Sequence, residues 1–264
     1  METNNLHIGF IGYGNMGQAM ATGWVLKGKI NPNRISASAR DYEKLQRNCE
    51  KIGIQPQESS ERVVETADII VLAVKPYQIK AVVAPLKDQL KGKIVLSVAA
   101  GITTTMLKEL LHDETAVMSF IPNTPVSIGE GIMVVENNYT LSQEQLENVV
   151  VLLKKLGIVE FVETEQLSVA GTLAGCGPAF AAIFIEALAD GAVKYGFTRE
   201  ESYRIASQML VGTGKMLMET NEHPGKMKDA VTSPGGTTIK GVAALEENGF
   251  RNAVIKAFDA IEGE

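Results

Sequence analysis

The chain is poor in the side chains that most often carry metal and thiol chemistry: its 264 residues include 2 cysteines and 3 histidines. Cys49 and Cys176 lie far apart, so no disulfide framework is implied and a reducing compartment is expected. No metal-ligand spacing and no Ser-His-Asp pattern is present, so no metal is expected; His7 falls in an apolar run, and His112 and His223 read as surface residues. Excess positive charge is missing too. The 25 Lys and Arg against 31 Asp and Glu give a net charge of -6 and a pI near 5.3, which argues against nucleic acid or an acidic membrane as partner. The first residues carry Glu2 and two asparagines instead of a basic leader, and no small-residue cleavage site follows. The most apolar stretch, Ala179–Ala189, is about half the length a membrane helix needs, and Glu186 and Asp190 interrupt it. These absences describe a soluble cytoplasmic protein. Internal repeats and low-complexity tracts are also lacking.

What is present is ordinary globular material, 45% apolar and 21% charged, long enough for two domains. Continuous apolar runs at His7–Tyr13, Arg34–Ala39, Asp68–Val74, Lys93–Ala100 and Ala116–Ile121 read as strands buried on both faces. Helical stretches separate them at Asn15–Gly28, Tyr42–Lys51, Tyr77–Leu90 and Thr103–Leu111. Ile132–Val135 and Val159–Val162 read as later edge strands, with a helix over Gln143–Leu156. This rhythm predicts an α/β fold: an N-terminal Rossmann-type, doubly wound parallel sheet over residues 1–162. Residues 163–264 show no strand pattern and predict an all-helical domain. Pro178 opens a helix there, Gly196 closes it, and Arg199–Glu219 forms a second long helix. The helix Ala179–Val193 is apolar nearly all round, which favours burial against another subunit.

The strand His7–Ile11 runs into Gly12-Tyr13-Gly14-Asn15-Met16-Gly17 and then a helix. A strand, this spacing and a helix together read as a dinucleotide fingerprint. Gly12 permits the turn, Gly14 admits a pyrophosphate close to the backbone, and Gly17 lets helix pack on strand; the helix start supplies free N–H groups. At the end of the second strand, where an acid would hold an NAD ribose, the sequence has Ser38, Ala39 and Arg40, while Asp41 reads as a helix cap. A hydroxyl and a cation suit a 2′-phosphate, so NADP(H) is favoured over NAD(H). Three further strand tips face the same ligand in such a fold: Ala73, Val74, Lys75 and Pro76; Ala99, Ala100 and Gly101; and Pro122, Asn123 and Thr124.

A second glycine loop, Ser233-Pro234-Gly235-Gly236, feeds Thr237, Thr238 and an apolar helical pattern ending at Gly249. It predicts a place for a small anion such as a carboxylate, with the Ser233 and Thr238 hydroxyls beside it. A third cluster, Gly175-Cys176-Gly177, reads as a hinge between domains; a nucleophilic Cys176 would need a histidine that no motif supplies. Oxidation of an alcohol needs a base, usually His or Lys, and no candidate is present; reduction of a group already protonated needs none.

Taken in order, "FIGYGNMG", "AVKP", "SVAAGI", "GCGPAF" and "VTSPGGTTIKG" resemble pyrroline-5-carboxylate reductases over essentially the whole chain. The resemblance implies NAD(P)H-dependent reduction of the cyclic imine 1-pyrroline-5-carboxylate to L-proline, the last step of proline biosynthesis. It implies a Rossmann domain, a helical dimerisation domain and a homodimer, in many members assembled into a ring of dimers. It places the substrate carboxylate on the N–H groups of Gly236 and Thr237 with Ser233 assisting and Gly235 in the loop, and makes Thr238 the catalytic residue, its hydroxyl on the ring nitrogen. On the cofactor side it matches Ile11, Gly12, Tyr13, Gly14, Asn15 and Met16 to the pyrophosphate, and Ala73 to Pro76 to ribose and phosphate. Ala39 stands where many members have a serine; Ser38 and Arg40 then serve the 2′-phosphate, with NADPH preferred and NADH usable. A hydroxyacid dehydrogenase or imine reductase is the nearest rival, and the hydroxyacid enzymes carry a Lys closely followed by Asn on the interdomain helix; here the helix has only Lys194, near its end and without that Asn. A dinucleotide sensor without turnover would keep GYGNMG but have no use for SPGGTT.

Overall fold

The computed structural model describes residues 6–263. Residues 1–5, on which the expectation of no leader rests, lie outside the described residues. The chain divides into two compact units, Met1–Cys176 and Gly177–Glu264.

The first unit holds one eight-stranded sheet: β1 Ile8–Ile11, β2 Ile35–Ser38, β3 Gln55–Pro56, β4 Ile69–Leu72, β5 Ile94–Ser97, β6 Ala116–Pro122, β7 Gly131–Glu136 and β8 Gly157–Val162. The order is β3-β2-β1-β4-β5-β6-β7-β8. The chain thus winds outward from β1 in both directions, and the reversal between β1 and β4 creates the crevice where such sheets bind ligands. All neighbours are parallel except β6 and β7, which pair antiparallel with Phe120 opposite Val135. Contrary to the sequence pattern, β7 is internal, and only β8 of that pair is an edge. The sequence reading also passed over β3, two residues long, and the helix that follows it.

Helices cover both faces: α1 Asn15–Leu26, α2 Tyr42–Glu50, α3 Ser60–Thr66, α4 Ile79–Val83, α5 Thr104–Leu110 and α6 Gln143–Lys154. Alternation along β1 sends Phe10 to one face and Ile11 to the other. On the first face Phe10, Met20 and Trp24 pack with Leu152 and Leu153; the indole is fully buried and its Nε1 donates to the Leu152 carbonyl at 2.9 Å. On the second, Ile11, Leu72, Val95 and Val117 pack under Val63, Val83 and Leu107. The expected helix Tyr77–Leu90 is broken: a 3-10 turn at Pro76–Gln78, α4, then a 3-10 turn at Ala84–Leu86, with Pro85 removing a helix donor.

The backbone stays helical past residue 163 through α7 Leu167–Gly171, a π turn at Thr172–Cys176 and α8 Gly177–Lys194. The helical run Thr164–Lys194 therefore spans 31 residues and is long and apolar enough, by length and composition, to cross a membrane. This corrects the sequence estimate of an apolar stretch too short to do so. The Gly175–Gly177 segment is a π turn inside this run, not an open loop, and Cys176 does not sit at a helix start. The rest of the second unit is α9 Arg199–Thr220, α10 Pro224–Ala230, α11 Thr237–Glu247 and α12 Phe250–Glu262. It contains no strand among the described residues. Phe180 meets Phe258, and Phe184 meets Phe250, with centroids 6.4 and 5.6 Å apart. Very little of this unit is buried within one chain: Ala189, Ser202, Ala206 and Met227 are, while Ile183 is 64% exposed.

Candidate dinucleotide cleft and anion cradle

A cleft of about 1200 Å³ opens at the carboxyl ends of β1, β2, β4 and β5. Ile11, Gly12, Tyr13, Gly14, Asn15 and Met16 form its floor. Gly12 has φ +88°, a conformation that excludes ordinary side chains, and its N–H donates to the Ser38 carbonyl at 2.9 Å, fixing the turn to β2. At Gly17, a Cβ would sit 3.1 Å from the Gly12 carbonyl oxygen, so the glycine allows α1 to start tightly against the turn. At Gly14 the situation is the reverse: a Cβ would meet nothing within 4 Å. That space is open toward the cleft at the N-cap of α1, where no side chain caps the helix and no acid occupies the first turn. Free amides, a partial positive charge and room for a close approach fit a pyrophosphate. The residues present therefore fit a dinucleotide.

Tyr13 is buried at the cleft's edge, its ring edge-on to Phe10 with centroids 6.0 Å apart. Burial, with a smaller contribution from Cys49, pushes its phenol well above the usual range, so it stays a neutral hydroxyl. Burial likewise raises the Cys49 thiol to about 11.

At the tip of β2, Ser38, Ala39 and Arg40 line the cleft as expected. Asp41 caps α2, accepting from the Lys44 N–H at 2.9 Å. From β4, Ala73, Val74, Lys75 and Pro76 line it, with Lys75 at the N-cap of the 3-10 turn. From β5 come Ala99 and Ala100, and Thr124 joins from beyond β6. Three expected residues do not line the cleft, the first being Pro122, buried at the end of β6. Gly101 lies just beyond its lining, with φ +74°. Asn123 is buried, and its carboxamide donates to the Ala174 carbonyl at 3.1 Å and accepts from the Ile132 N–H at 3.0 Å. The physical reason is proline. Pro178 has no N–H for the carbonyl four residues earlier, which is that of Ala174, and the Asn123 side chain takes the vacant acceptor.

The cleft also holds residues that the strand-tip reasoning missed. Lys44 and Asn48 come from α2, and Ser59 and Ser60 from the start of α3. The Ser38 and Ser60 hydroxyls meet at 3.1 Å. Lys44 was findable, one turn past a recognised cap; Ser60 was not, because nothing local ties it to Ser38. A buried carboxylate was also unforeseen. Glu136 at the end of β7 accepts from the Thr104 N–H at 2.7 Å and from the Thr164 hydroxyl at 2.8 Å, and is fully shielded from solvent.

In the second unit, Ser233–Gly236 forms a tight turn in which the Gly236 N–H donates to the Ser233 carbonyl at 3.0 Å. Pro234 then Gly235, the latter with φ +69°, is the order a type II turn asks for. A Cβ on Gly236 would sit 2.4 Å from the Ser233 hydroxyl, so that hydroxyl lies directly over the helix start. No side chain caps α11. Because the Gly236 amide is engaged in the turn, the amides left without an intrahelical partner begin at Thr237 and Thr238. Of the two amides expected to form a cradle, that of Gly236 is engaged within the turn and that of Thr237 has no intrahelical partner. Ser233, Thr237 and Thr238 are all exposed in the single chain.

His112 pairs with Asp88 at 2.8 Å on the surface and His223 caps α10, its ring nitrogen accepting from the Gly225 N–H; His7 precedes β1 and is only half-buried. Among the described residues, no three His, Cys, Asp or Glu gather as metal ligands would.

Comparison with known proteins places both units. A family model described as pyrroline-5-carboxylate reductase dimerisation matches residues 164–263, and one described as NADP oxidoreductase, coenzyme F420-dependent, matches residues 7–101. The chain therefore carries a dimerisation domain. The pyrroline-5-carboxylate reductase of Treponema pallidum is 39% identical, covering 97% of this chain and 98% of that protein. That of Escherichia coli is 38% identical over 95% and 93%. Among solved structures, the pyrroline carboxylate reductase of Plasmodium falciparum, with NADP bound, superposes with a TM-score of 0.87 at 29% identity, covering 98% and 96% of the two chains. With a fingerprint turn, a free-amide helix start and relatives matched end to end, this chain belongs to the pyrroline-5-carboxylate reductase family.

Proposed function

We propose that the chain reduces 1-pyrroline-5-carboxylate to L-proline with NADPH, completing proline biosynthesis. The observation that carries this reading is the uncapped start of α11 behind the Ser233–Gly236 turn: it is built for a small anion, and a dinucleotide sensor would not need it. The nicotinamide cofactor, when bound, supplies the hydride. The protein's own work is placement. Amides of Thr237 and Thr238 and the Ser233 hydroxyl hold the substrate carboxylate, with Gly235 and Gly236 giving the turn its shape. The Thr238 hydroxyl hydrogen-bonds the ring nitrogen and aligns the imine carbon. A protonated imine accepts hydride without a general base, which agrees with the scarcity of histidine. Positioning alone supplies much of the rate in such reactions.

In the cleft, Ile11 to Met16 take the pyrophosphate, Ser38, Ala39 and Arg40 the 2′-phosphate end, Ala73 to Pro76 the ribose and phosphates, and Ala99 and Ala100 the flat ring; NADPH is preferred and NADH is usable. The dimerisation domain pairs two chains, and the apolar surface of Thr164–Lys194, of whose most apolar window only 11% is buried, is what the second copy covers instead of lipid. The dimers assemble further into a ring. With both cysteines free, a reducing cytoplasm is the expected compartment.

Turnover tests the reading directly. Protein, NADPH and chemically prepared 1-pyrroline-5-carboxylate should lose the reduced-nicotinamide absorbance as proline accumulates. Binding of the dinucleotide with no oxidation would favour the sensor instead.

A further inference from the structure

The loop over residues 98–103 carries Ala99 and Ala100 from the tip of β5 into the cleft and runs on into α5. At its β5 end the Ala99 N–H donates to the Ser97 hydroxyl at 3.3 Å. Its α5 end is held by Thr104, whose N–H donates to the Glu136 carboxylate at 2.7 Å and whose hydroxyl accepts from the Ser119 N–H at 3.2 Å. The other Glu136 oxygen accepts from the Thr164 hydroxyl at 2.8 Å, at the head of the helical run Thr164–Lys194. Glu136 and Thr104 are both buried. A carboxylate offers only acceptors, which is what two converging donors need, and the first turn of a helix favours a negative charge. Bonds to an ionised acceptor are shorter and stronger than neutral ones. Further along the run, Leu167 and Ala174 pack with Val134 of β7, and the Asn123 carboxamide holds the Ala174 carbonyl at 3.1 Å. The first turns of the run are thus fixed to the sheet at residues 164 and 174, which makes Thr164 a firm anchor.

We infer that Glu136 is a positioning residue for hydride transfer: its carboxylate ties the loop over residues 98–103 to Thr164, and so sets how deep the nicotinamide lies against Ala99 and Ala100. This rests on the reading that those two residues take the flat ring. Glu136 does not itself line the cleft, so it acts through the loop. Small displacements of a reacting ring are costly, about a hundredfold in rate for about 1 Å. The competing role is structural alone: an acceptor that satisfies two buried donors and stabilises the fold without touching turnover. The two roles separate because the fingerprint turn and the tip of β2 lie on the far side of β4 from β5. A slipped loop slows hydride transfer and leaves binding of the phosphorylated end of the dinucleotide as it was.

Steady-state turnover of 1-pyrroline-5-carboxylate by the full chain, with NADPH carrying hydrogen or deuterium at the transferred position, decides between them. Glu136→Ala should lower kcat about tenfold or more and raise the deuterium isotope effect, as the hydride step becomes limiting. Its affinity for 2′,5′-ADP, which has no nicotinamide, should change less than about twofold. Glu136→Gln keeps an oxygen for the Thr104 N–H and presents an amide donor to the Thr164 hydroxyl, which turns to accept; kcat should stay within about threefold of wild type. Thr164→Val cuts one tie and spares the other, a milder change should Glu136→Ala fail to fold, and should lower kcat about threefold with 2′,5′-ADP binding unchanged. Thermal unfolding of each variant fixes an assay temperature well below its transition. Folded Glu136→Ala and Thr164→Val proteins with wild-type kcat and isotope effect overturn the positioning role. So does a Glu136→Gln protein as slow as Glu136→Ala, or a loss of 2′,5′-ADP affinity as large as the loss in kcat. Wild-type protein that does not oxidise NADPH with this substrate overturns the underlying reading instead.

Discussion

Met1–Cys176 closes its own interior, with Phe10, Trp24 and Leu72 wholly removed from water, whereas Gly177–Glu264 leaves Ile183, Ile205, Ile255 and Phe197 more than half exposed. Both are rich in helix, so helix content does not explain the contrast. A sheet offers two broad faces on which helices complete a core within one chain. A helix apolar on several sides cannot be covered by its few neighbours, and its burial then falls to another copy. The first unit is a finished fold with a cleft at its strand tips; the second is a dimerisation domain that leaves its apolar surface uncovered and carries the Ser233–Gly236 turn.

The comparison can be broken, or sharpened, at several points. The largest effect is expected in the self-contained core. Trp24→Ala removes a fully buried indole and its hydrogen bond to Leu152, and should cost about 3–5 kcal/mol in denaturant unfolding. Next comes the cradle. Thr238→Ala should lower kcat/KM by about one to three orders of magnitude, and an unchanged value would remove Thr238 from the chemistry. Ile183→Glu, on a surface exposed in the single chain, should barely change the folding of an isolated chain but weaken association about a hundredfold. Sedimentation should then show a 28.4 kDa species, and a variant still assembled at nanomolar concentration would deny this face its role. Arg40→Ala should raise KM for NADPH about tenfold with little change for NADH. The smallest effect concerns Cys49. With its thiol raised to about 11, it stays protonated at pH 9, where an unfolded thiol near 9.0 is half ionised. Alkylation of Cys49 at pH 9 should therefore be slow in the native protein and become rapid on unfolding. Because the unfolded thiol ionises first, this group's contribution favours the native state below about pH 9 and is lost as pH rises toward 11.

Much of the sheet was legible because parallel strands buried on both faces leave continuous apolar runs, as Ile69–Leu72 and Ile94–Ser97 do. β3 was not, since two residues ending in Pro56 leave no such run. The fingerprint turn was legible for the same reason it works: only glycine tolerates the backbone at Gly12. Asn123 was misread because strand-tip position alone cannot tell a ligand contact from a side chain completing distant backbone bonds at Ile132 and Ala174. Ser60 and Glu136 were illegible because their partners lie 22 and 28 or more residues away in sequence. The helix beyond residue 163 was read as starting at Pro178 by the rule for helix starts; a side chain from β6's end instead lets the helix run past that proline.

The Asn123 carboxamide has a genetic consequence. An asparagine and a proline 55 positions apart, at 123 and 178, answer one carbonyl between them. Losing the amide strands the Ala174 acceptor and the Ile132 donor, and restoring an N–H at 178 would supply a partner for the first of these from within the helix. Pro178→Ala should therefore behave as a partial second-site suppressor of Asn123→Ala, recovering the share of stability lost at Ala174 and not that lost at Ile132.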